Sequence, residues 1–227
     1  TNNNSIVSNN VVFHVPGADG GAIYLGGTNN NSIVSNNVVF HVPGAVEGKP
    51  TNNSRGQGIY IDELGSGVTL SGNTVIDAEY GFHVHNGANN VIQNNKLYGN
   101  RRYQLWLEED SKVIFPSGDV RGNRVSGNTM VPSSVGASVY HRSNFTTADQ
   151  FSTYDSNIYS TLLSPLVAAE ETANGNSYLT LAQWQAAKTA GGLPRNLDAL
   201  ARQAPAVTGA HYRVNGARNV PNGKFAL

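Results

Sequence analysis

The chain has 227 residues and a formal net charge of zero, and only 13% of its residues are charged, against roughly 25% in an average soluble domain. With equal numbers of positive and negative side chains, the composition gives no sign of a basic surface that would bind nucleic acid or an anionic membrane. No apolar run approaches the ~20 residues of a membrane span. Cysteine is absent, which excludes disulfides and thiolate chemistry and fits any compartment. The 29 asparagines and 25 glycines favour short strands and tight turns, because both residues accept left-handed backbone angles.

The chain opens on a verbatim internal repeat. Residues 1–18 and residues 28–45 both read TNNNSIVSNNVVFHVPGA, at an offset of 27 residues. A period of this length predicts a solenoid or another repeat array. Structural repeats usually keep only their core and turn positions, so identity at every position indicates a recent duplication or an engineered one. Because the chain starts within a repeat, we expect it to be a fragment of a longer protein.

Strands with alternating apolar and polar residues follow at regular intervals. They begin AIYLGG at Ala22, GIYIDE at Gly58, GFHVHN at Gly81 and QLWLEE at Gln104. Period-two alternation is typical of a half-buried strand. Aligned with one another, these strands form two apolar columns: Ile23, Ile59, Phe82 and Leu105, and then Leu25, Ile61, Val84 and Leu107.

A second strand in each repeat begins just after an asparagine. The aligned positions are Asn10, Asn37, Asn73, Asn95 and Asn128, and Asn157 is the candidate for the last turn. Stacked asparagine side chains are able to hydrogen-bond the amides above and below them, which would satisfy a row of buried polar groups. We therefore expect an asparagine ladder along one corner of the molecule.

Units of about 23 residues are too small to bury an apolar face alone, so they must stack strand on strand at ~4.8 Å. The pattern resembles the right-handed parallel β-helix, as in pectate-lyase-like carbohydrate-active proteins, over residues 1–160. We therefore predict an all-β, single-stranded right-handed parallel β-helix of about six coils. Residues 161–227 are predicted to form a small α-helical cap and a tail. The first cap helix follows Thr180 with Gln183 completing a capping box, and a second helix spans Asn196–Gln203.

The residues between the buried columns are expected to face solvent and to stack into outward columns. Tyr60, His83 and Trp106 lie in one of them, and Asp62, His85 and Glu108 lie in the next. Aromatic rings on a strand face suit the faces of sugar rings. Asp62 and Glu108 are expected two rungs apart, with their backbones separated by about 9.6 Å, which is close to the ~6.5–9.5 Å between the two carboxyl groups of inverting glycosidases.

These columns predict a polysaccharide-acting enzyme, preferably a glycoside hydrolase. Asp62 is the candidate base that activates water, and Glu108, beside Trp106, is the candidate acid with a raised pKa. His85 completes the catalytic group. The candidate substrate-binding residues are Tyr60, Tyr80, His83, Trp106 and Arg101.

A uronate polysaccharide lyase or an epimerase is the alternative enzyme. The stretch YGFHVHNG, residues 80–87, resembles the YGFDPH-type motif of alginate C5-epimerases, whose tyrosine, aspartate and histidine are catalytic. The resemblance assigns the tyrosine to Tyr80 and the histidine to His85, but His83 stands where the family has aspartate. A lyase would need a base near neutrality, His83 or His85, and a cation such as Arg101 or Arg102 to neutralise the uronate carboxylate.

Two non-enzymatic interpretations stay open. Stacked carboxylates and an imidazole are able to hold a divalent cation such as Ca²⁺, although no cofactor is required by the sequence. Alternatively, the chain is a structural or glycan-binding solenoid, such as part of a phage tail fibre, an adhesin or an engineered scaffold. The expected partner is a polysaccharide or oligosaccharide, the expected location is extracellular or periplasmic, and the sequence leaves the oligomeric state undetermined.

Overall fold

The computed structural model describes residues 4–15, 20–27, 30–44, 55–63, 65–110, 120–133, 136–144, 151–160, 163–187, 198 and 200–204. These residues form a parallel β-helix of six coils. Each coil contributes one strand to each of three sheets. The six-coil parallel β-helix predicted from the repeat is confirmed. Strands and the helix are numbered in chain order.

The first sheet consists of β1 (Ile6–Ser8), β4 (Ile33–Ser35), β7 (Thr69–Ser71), β10 (Val91–Gln93), β13 (Asn123–Ser126) and β16 (Ser152–Asp155). The second sheet consists of β2 (Val11–Phe13), β5 (Val38–Val42), β8 (Thr74–Ala78), β11 (Lys96–Tyr98), β14 (Thr129–Val131), β17 (Ile158–Ser160) and β20 (Arg202–Ala204). The third sheet consists of β3 (Gly20–Leu25), β6 (Gly56–Ile61), β9 (Tyr80–His85), β12 (Tyr103–Glu109), β15 (Val139–Ser143), β18 (Leu166–Thr172) and β19 (Gly175–Thr180). Only β19, which pairs with β18, runs antiparallel to its neighbour among these strands.

The core is built from the predicted inward columns. Strand register aligns Ile23 with Ile59, Ile59 with Phe82, and Phe82 with Leu105. The first and second sheets add their own columns, in which each side chain is almost fully buried: Val34, Leu70, Ile92 and Val125, and then Val39, Val75, Leu97 and Met130. Each coil therefore buries its apolar side chains against the coils above and below, which stabilises the stack by about 25 cal/mol per Å² of apolar surface buried.

The predicted asparagine ladder is present. Each side-chain Nδ2 donates to the Oδ1 of the next asparagine at 2.9–3.0 Å, from Asn10 through Asn37, Asn73, Asn95 and Asn128 to Asn157. The same Oδ1 atoms also accept backbone N–H groups, as in the 2.9 Å bond from the Asn73 N–H to Asn95. The ladder ends on the buried carboxylate of Asp198, which accepts from Asn157 Nδ2 at 2.7 Å.

The turn before each ladder position needs a left-handed backbone, which explains the Asn and Gly content. The residue there has φ between 54° and 65° in all six coils: Asn9, Asn36, Gly72, Asn94, Gly127 and Ser156. Glycine and asparagine adopt this region at low cost. At Gly72 a Cβ would also lie 2.4 Å from Asn36 Oδ1, so a larger residue there would require the Asn36 side chain to move.

The C-terminal helix covers the last coil as predicted. Helix α1 (Leu181–Gln185) follows Thr180, and Thr180 and Gln183 form the predicted capping box. Trp184 is fully buried, and its ring lies 4.6 Å from the ring of Tyr154. None of the described helical residues forms a helix long and apolar enough to span a membrane.

The predicted second helix, Asn196–Gln203, is wrong where the structure describes it. Arg202 and Gln203 belong to β20, which pairs in parallel with β17, and Leu200 is exposed rather than part of the cap. By pairing with β17, β20 provides hydrogen-bond partners for the backbone groups at the open edge of that strand. This gain outweighs the weak helical preference of a short segment. The rest of this predicted helix and most of the tail lie outside the described residues, and the division at residue 160 stays a prediction.

Breaking the ladder in its middle should cost far more than breaking it at its open end. Replacing Asn95 by alanine removes the acceptor of two buried Asn73 donors and two donors of its own. We expect Asn95→Ala to lower the free energy of unfolding in urea by about 3 kcal/mol. Asn10→Ala, at the exposed first rung, should cost less than about 1 kcal/mol. Equal losses in the two variants would contradict a cooperative buried ladder.

Candidate active site on the third sheet

The third sheet carries two outward columns, and the register places the predicted residues on them as expected. Tyr24, Tyr60, His83 and Trp106 are aligned from strand to strand, and Tyr140 continues the column. His85 lies beside Glu108 in the neighbouring column. The predicted assembly of the aromatic and charged residues on one face is therefore present.

The aromatic column is a continuous stack. The Tyr60 and His83 ring centroids lie 4.5 Å apart, and the His83 and Trp106 rings lie 3.8 Å apart with an interplanar angle of 6°. Tyr80, at the start of β9, packs its ring 4.8 Å from Trp106. The guanidinium of Arg55 lies 5.6 Å from the Trp106 ring centroid, within cation–π range.

The expectation that this column faces solvent is wrong for three of its members. Tyr60 is 4% exposed, His83 1% and Trp106 4%, whereas Tyr24 is 52% exposed. The rings cover one another, and neighbouring side chains such as Tyr80 and Arg55 cover Trp106. Trp106 Nε1 is buried and has no hydrogen-bond partner among the described residues.

The charged column alternates in sign along the third sheet. Glu108 is aligned with Arg142, and Arg142 with Glu171, so that the order is Asp62, His85, Glu108, Arg142 and Glu171. Neighbouring strands lie ~4.8 Å apart, so each of the three inner charges, His85, Glu108 and Arg142, has opposite charges on both sides. Arg142 Nη1 donates to Glu108 Oε1, and Arg142 Nε lies 3.6 Å from Glu171 Oε1.

Asp62 is the most strongly hydrogen-bonded carboxylate on this face. It accepts from the Tyr24 hydroxyl at 2.5 Å, the Tyr60 hydroxyl at 2.8 Å and His85 Nδ1 at 2.8 Å. Burial alone would raise the pKa of Asp62, but the hydrogen bonds from His85 and the two tyrosines outweigh it and hold the pKa well below its usual range. The side chain of Asp62 stays 21% exposed, so this fixed, ionised carboxylate still reaches solvent.

His85 lies between two carboxylates. Its Nδ1 bonds Asp62, and its Nε2 lies 3.0 Å from Asp110 Oδ1. Burial lowers the pKa of His85, but the hydrogen bond to Asp62 and the charges of Glu108 and Asp110 raise it to about 9. His85 is therefore an imidazolium at neutral pH, which excludes it as a base near neutrality.

Glu108 differs from its predicted role. Its side chain is only 2% exposed, and it bonds His83 Nε2 at 3.0 Å as well as Arg142. Burial raises the pKa of Glu108, but the His83 hydrogen bond, the charges of both histidines and the Arg142 hydrogen bond outweigh it, and the pKa is lowered. The prediction of a raised pKa at Glu108 is wrong because the hydrogen bond from His83, the charges of the histidines and the hydrogen bond from Arg142 together outweigh the effect of burial. His83 itself has a lowered pKa because burial disfavours its charged form.

Arg101 lies apart from these columns. Its Nε is 3.6 Å from Asp77 Oδ1, near the end of β8 in the second sheet, whereas the other predicted residues belong to strands of the third sheet or, for Asp62, directly follow one. Arg102 pairs with Glu79 at 2.6 Å and lies 5.9 Å from the Tyr80 ring centroid. Arg102 is thus connected, through Tyr80, to the aromatic column.

The described residues contain no group of three or more His, Asp or Glu side chains placed to hold a metal ion. Both ring nitrogens of His85 are engaged by carboxylates, so this histidine is not oriented as a ligand. The Ca²⁺ alternative therefore gains no support from this part of the molecule.

A sequence model described as the right handed beta helix region matches residues 1–161 of this chain. The chain belongs to the right-handed beta helix family. A comparison with curated protein sequences finds no match.

Solved structures similar to this beta helix protein include DFA-IIIase from Arthrobacter chlorophenolicus A6 in complex with GF2, at 15% identity and a TM-score of 0.36, covering 88% of this chain and 48% of that one. A mutant of that enzyme in complex with DFA-III has 14% identity and a TM-score of 0.39, covering 90% of this chain and 56% of that one. This beta helix protein thus spans about half the length of these enzymes.

Sequence reasoning missed several residues of the site in this beta helix protein. Arg142 and Tyr140 extend the two outward columns, and Asp110 closes the far side of His85. The signal was present in VYHRS, residues 139–143, whose alternation matches the third-sheet strands 34 positions earlier. The irregular spacing of this coil hid the match.

The raised pKa of His85 predicts how stability depends on pH. Because the folded pKa, about 9, lies above the ordinary value of 6.5, protonation of His85 favours the folded state. This stabilisation is complete below pH 6.5 and is lost as the pH rises through about 9. We expect the free energy of unfolding to fall over this range in the wild type and to fall less in His85→Asn. An NMR titration placing the His85 midpoint below pH 7 would contradict this account.

Proposed function

We propose that the third-sheet face binds a polysaccharide and hydrolyses a glycosidic bond, with Asp62 as the carboxylate that activates water. The observation that carries the proposal is the environment of Asp62. Three donors fix its orientation at 2.5–2.8 Å and keep it ionised, while its side chain stays 21% exposed. An ionised carboxylate held in a fixed orientation at a partly open surface is placed to accept a hydrogen bond from a water and to orient that water toward a bound sugar.

The aromatic column supports the choice of a sugar as ligand. Tyr24 offers an exposed ring directly beside Asp62, and its hydroxyl touches the carboxylate. Apolar ring faces combined with a few fixed polar groups are typical of carbohydrate recognition.

The proton for the leaving oxygen has to come from a group that holds one at neutral pH. Glu108 does not qualify, because its pKa is lowered and both of its neighbours are cationic or donating. Among the described ionisable side chains next to Asp62, His85 carries a proton, and its Nε2–H side faces the partly exposed Asp110. Hydrolysis then moves one proton from water to Asp62 and one from His85 to the leaving oxygen, and exchange with solvent restores both groups.

A uronate lyase or an epimerase is less well supported. Proton abstraction beside a uronate carboxylate needs an unprotonated base at neutral pH. His85 keeps its proton until about pH 9, and His83 is only 1% exposed. A non-catalytic glycan-binding role is the second candidate, because the ion pairs of Glu108, Arg142 and Glu171 account for this part of the column without any chemistry.

Asp62→Asn should abolish cleavage and spare binding. We expect the release of reducing ends from a panel of polysaccharides to fall roughly 10²–10⁴-fold, while glycan affinity measured by calorimetry changes little. Asp155→Asn, which neutralises an exposed carboxylate on the first sheet, is the matched control and should keep full activity. Thermal unfolding verifies that both variants are folded.

The same assay separates the alternatives. A product that absorbs ultraviolet light through a new double bond would identify a lyase instead of a hydrolase. Binding of a glycan by the wild type with no cleavage of any member of the panel would refute hydrolysis and leave the binding role.

A further inference from the structure

The outward aromatic column of the third sheet continues beyond Tyr140. The register pairs Tyr140 with Ala169 on β18, and Ala169 with Tyr178 on the antiparallel strand β19. Residues directly opposite each other on paired strands lie on the same face of a sheet. Leu179, the next residue along β19, packs against the core, as alternation requires if Tyr178 points outward. Tyr178 therefore lies on the same face as Asp62, at its far end.

Tyr178 is the exposed end of a cluster of tyrosine rings. The Tyr103 and Tyr140 rings stack with their centroids 4.3 Å apart, and both side chains are half-buried. Burial raises the pKa of Tyr103, and the nearby phenol of Tyr178 adds to this rise. Tyr178 itself is 61% exposed. These rings offer apolar surface with hydroxyl groups at its edge, which suits the face of a sugar ring.

Hydrogen-bonding side chains lie beside these rings. The Tyr140 hydroxyl donates to Glu171 Oε2 at 2.6 Å. The side chain of Glu171 is 47% exposed and that of Arg142 is 32% exposed. Asn176, opposite Glu171 on β19, is exposed as well. Carboxylate, guanidinium and amide groups are able to bond the hydroxyl groups of a sugar, so this end of the face offers both kinds of contact that sugar recognition uses.

The charges of the face favour an uncharged glycan. The charged column sets three carboxylates against two cations: Asp62, Glu108 and Glu171, against His85 and Arg142. Near the aromatic column, Arg102 is paired with Glu79, and Arg55 lies over the Trp106 ring. A polymer with a carboxylate on every sugar would meet more negative than positive groups along the charged column. Repulsion between like charges would therefore weaken its binding.

We propose that the third-sheet face binds a neutral glycan chain along the axis of the solenoid, from Asp62 to a distal sugar site at Tyr178. Five strand spacings of ~4.8 Å, about 24 Å in all, separate these two residues. One sugar unit of an extended chain is about as long as one strand spacing, so the path holds roughly five units. The near end at Asp62 rests on the proposed function, whereas the distal site depends only on the contacts of Tyr178 and its neighbours.

The dependence of affinity on chain length tests this path. Neutral glucan, mannan, xylan and fructan oligosaccharides, from disaccharides to octasaccharides, are titrated into the Asp62→Asn chain and followed by calorimetry, so that cleavage does not consume the ligand. We expect the affinity for the series that binds to rise up to roughly five units and then to stay constant. Galacturonate oligomers of equal length should bind at least about 10-fold more weakly.

Variants at the distal end locate the last sugar site. Tyr178→Ala removes the exposed ring, so it should weaken hexasaccharide binding about 5- to 10-fold and remove the gain from tetrasaccharide to hexasaccharide. Tyr178→Phe keeps the ring and should keep the affinity. The matched control is Leu163→Ala, which shortens a 48% exposed side chain outside the third sheet and should leave binding unchanged. Thermal unfolding verifies that these variants are folded.

Three results overturn the path: affinity that does not depend on chain length, equal hexasaccharide affinity with and without the Tyr178 ring, or tighter binding of the galacturonate oligomers. No binding of any oligosaccharide would refute the path and the proposed function together. Cleavage of a glycan by the wild type without the effects of length and Tyr178 would refute the path alone. Those effects without cleavage would support the path and refute hydrolysis.

Discussion

The register between successive coils depends above all on the buried asparagine ladder. A side-chain amide buried without partners costs several kcal/mol, so each asparagine must meet the one above and the one below. A slip of one residue would break this chain of bonds and would also turn each strand's apolar residues toward solvent. The ladder and the apolar columns therefore demand the same alignment, and Asp198 ends the ladder with an acceptor that needs no further donor from another asparagine.

The chemistry of the third sheet follows from that alignment. Because each coil stacks in register, Asp62, His85, Glu108 and Arg142 become neighbours although they are far apart in the sequence. The rise of the His85 pKa from 6.5 to about 9 corresponds to about 3 kcal/mol. Two opposite charges 4 Å apart attract by about 4 kcal/mol at an effective dielectric of 20, so the two flanking carboxylates are sufficient to overcome the burial of the ring. In the same way, the hydrogen bonds and positive charges around Glu108 outweigh the effect of its burial and keep the carboxylate ionised.

Much of the fold was predictable because it depends on local periodicity. The alternation in GIYIDE and GFHVHN identifies the inward residues, and the shared position of Asn73 and Asn95 identifies the ladder. The capping box at Thr180 is equally local. By contrast, β20 pairs through a contact between residues more than 40 positions apart, and a short helical pattern at Asn196–Gln203 carried no information about that contact.

The site was predictable as a set of neighbours but not in its electrostatics. Alternation assigns Trp106 and Glu108 to the outer face, but it does not reveal what covers them, and both are almost fully buried. The ionisation of Glu108 depends on His83, in the preceding coil, and on Arg142, which lies 34 residues further along in a coil of irregular length. The position of a charge along a strand thus follows from local sequence, whereas its pKa depends on partners that the fold brings from other coils.

Engineered disulfides test most directly the coil register on which this account depends, and the chain has no cysteine of its own. Thr69 and Val91 are register partners on neighbouring coils of the first sheet, at a strand spacing of ~4.8 Å that a disulfide is able to bridge. We expect Thr69→Cys with Val91→Cys to form an intramolecular disulfide rapidly under mild oxidation. Thr69→Cys with Gln93→Cys, displaced by two residues, should not form it. Faster cross-linking of the displaced pair would contradict the register and, with it, the alignment of the charges on the third sheet.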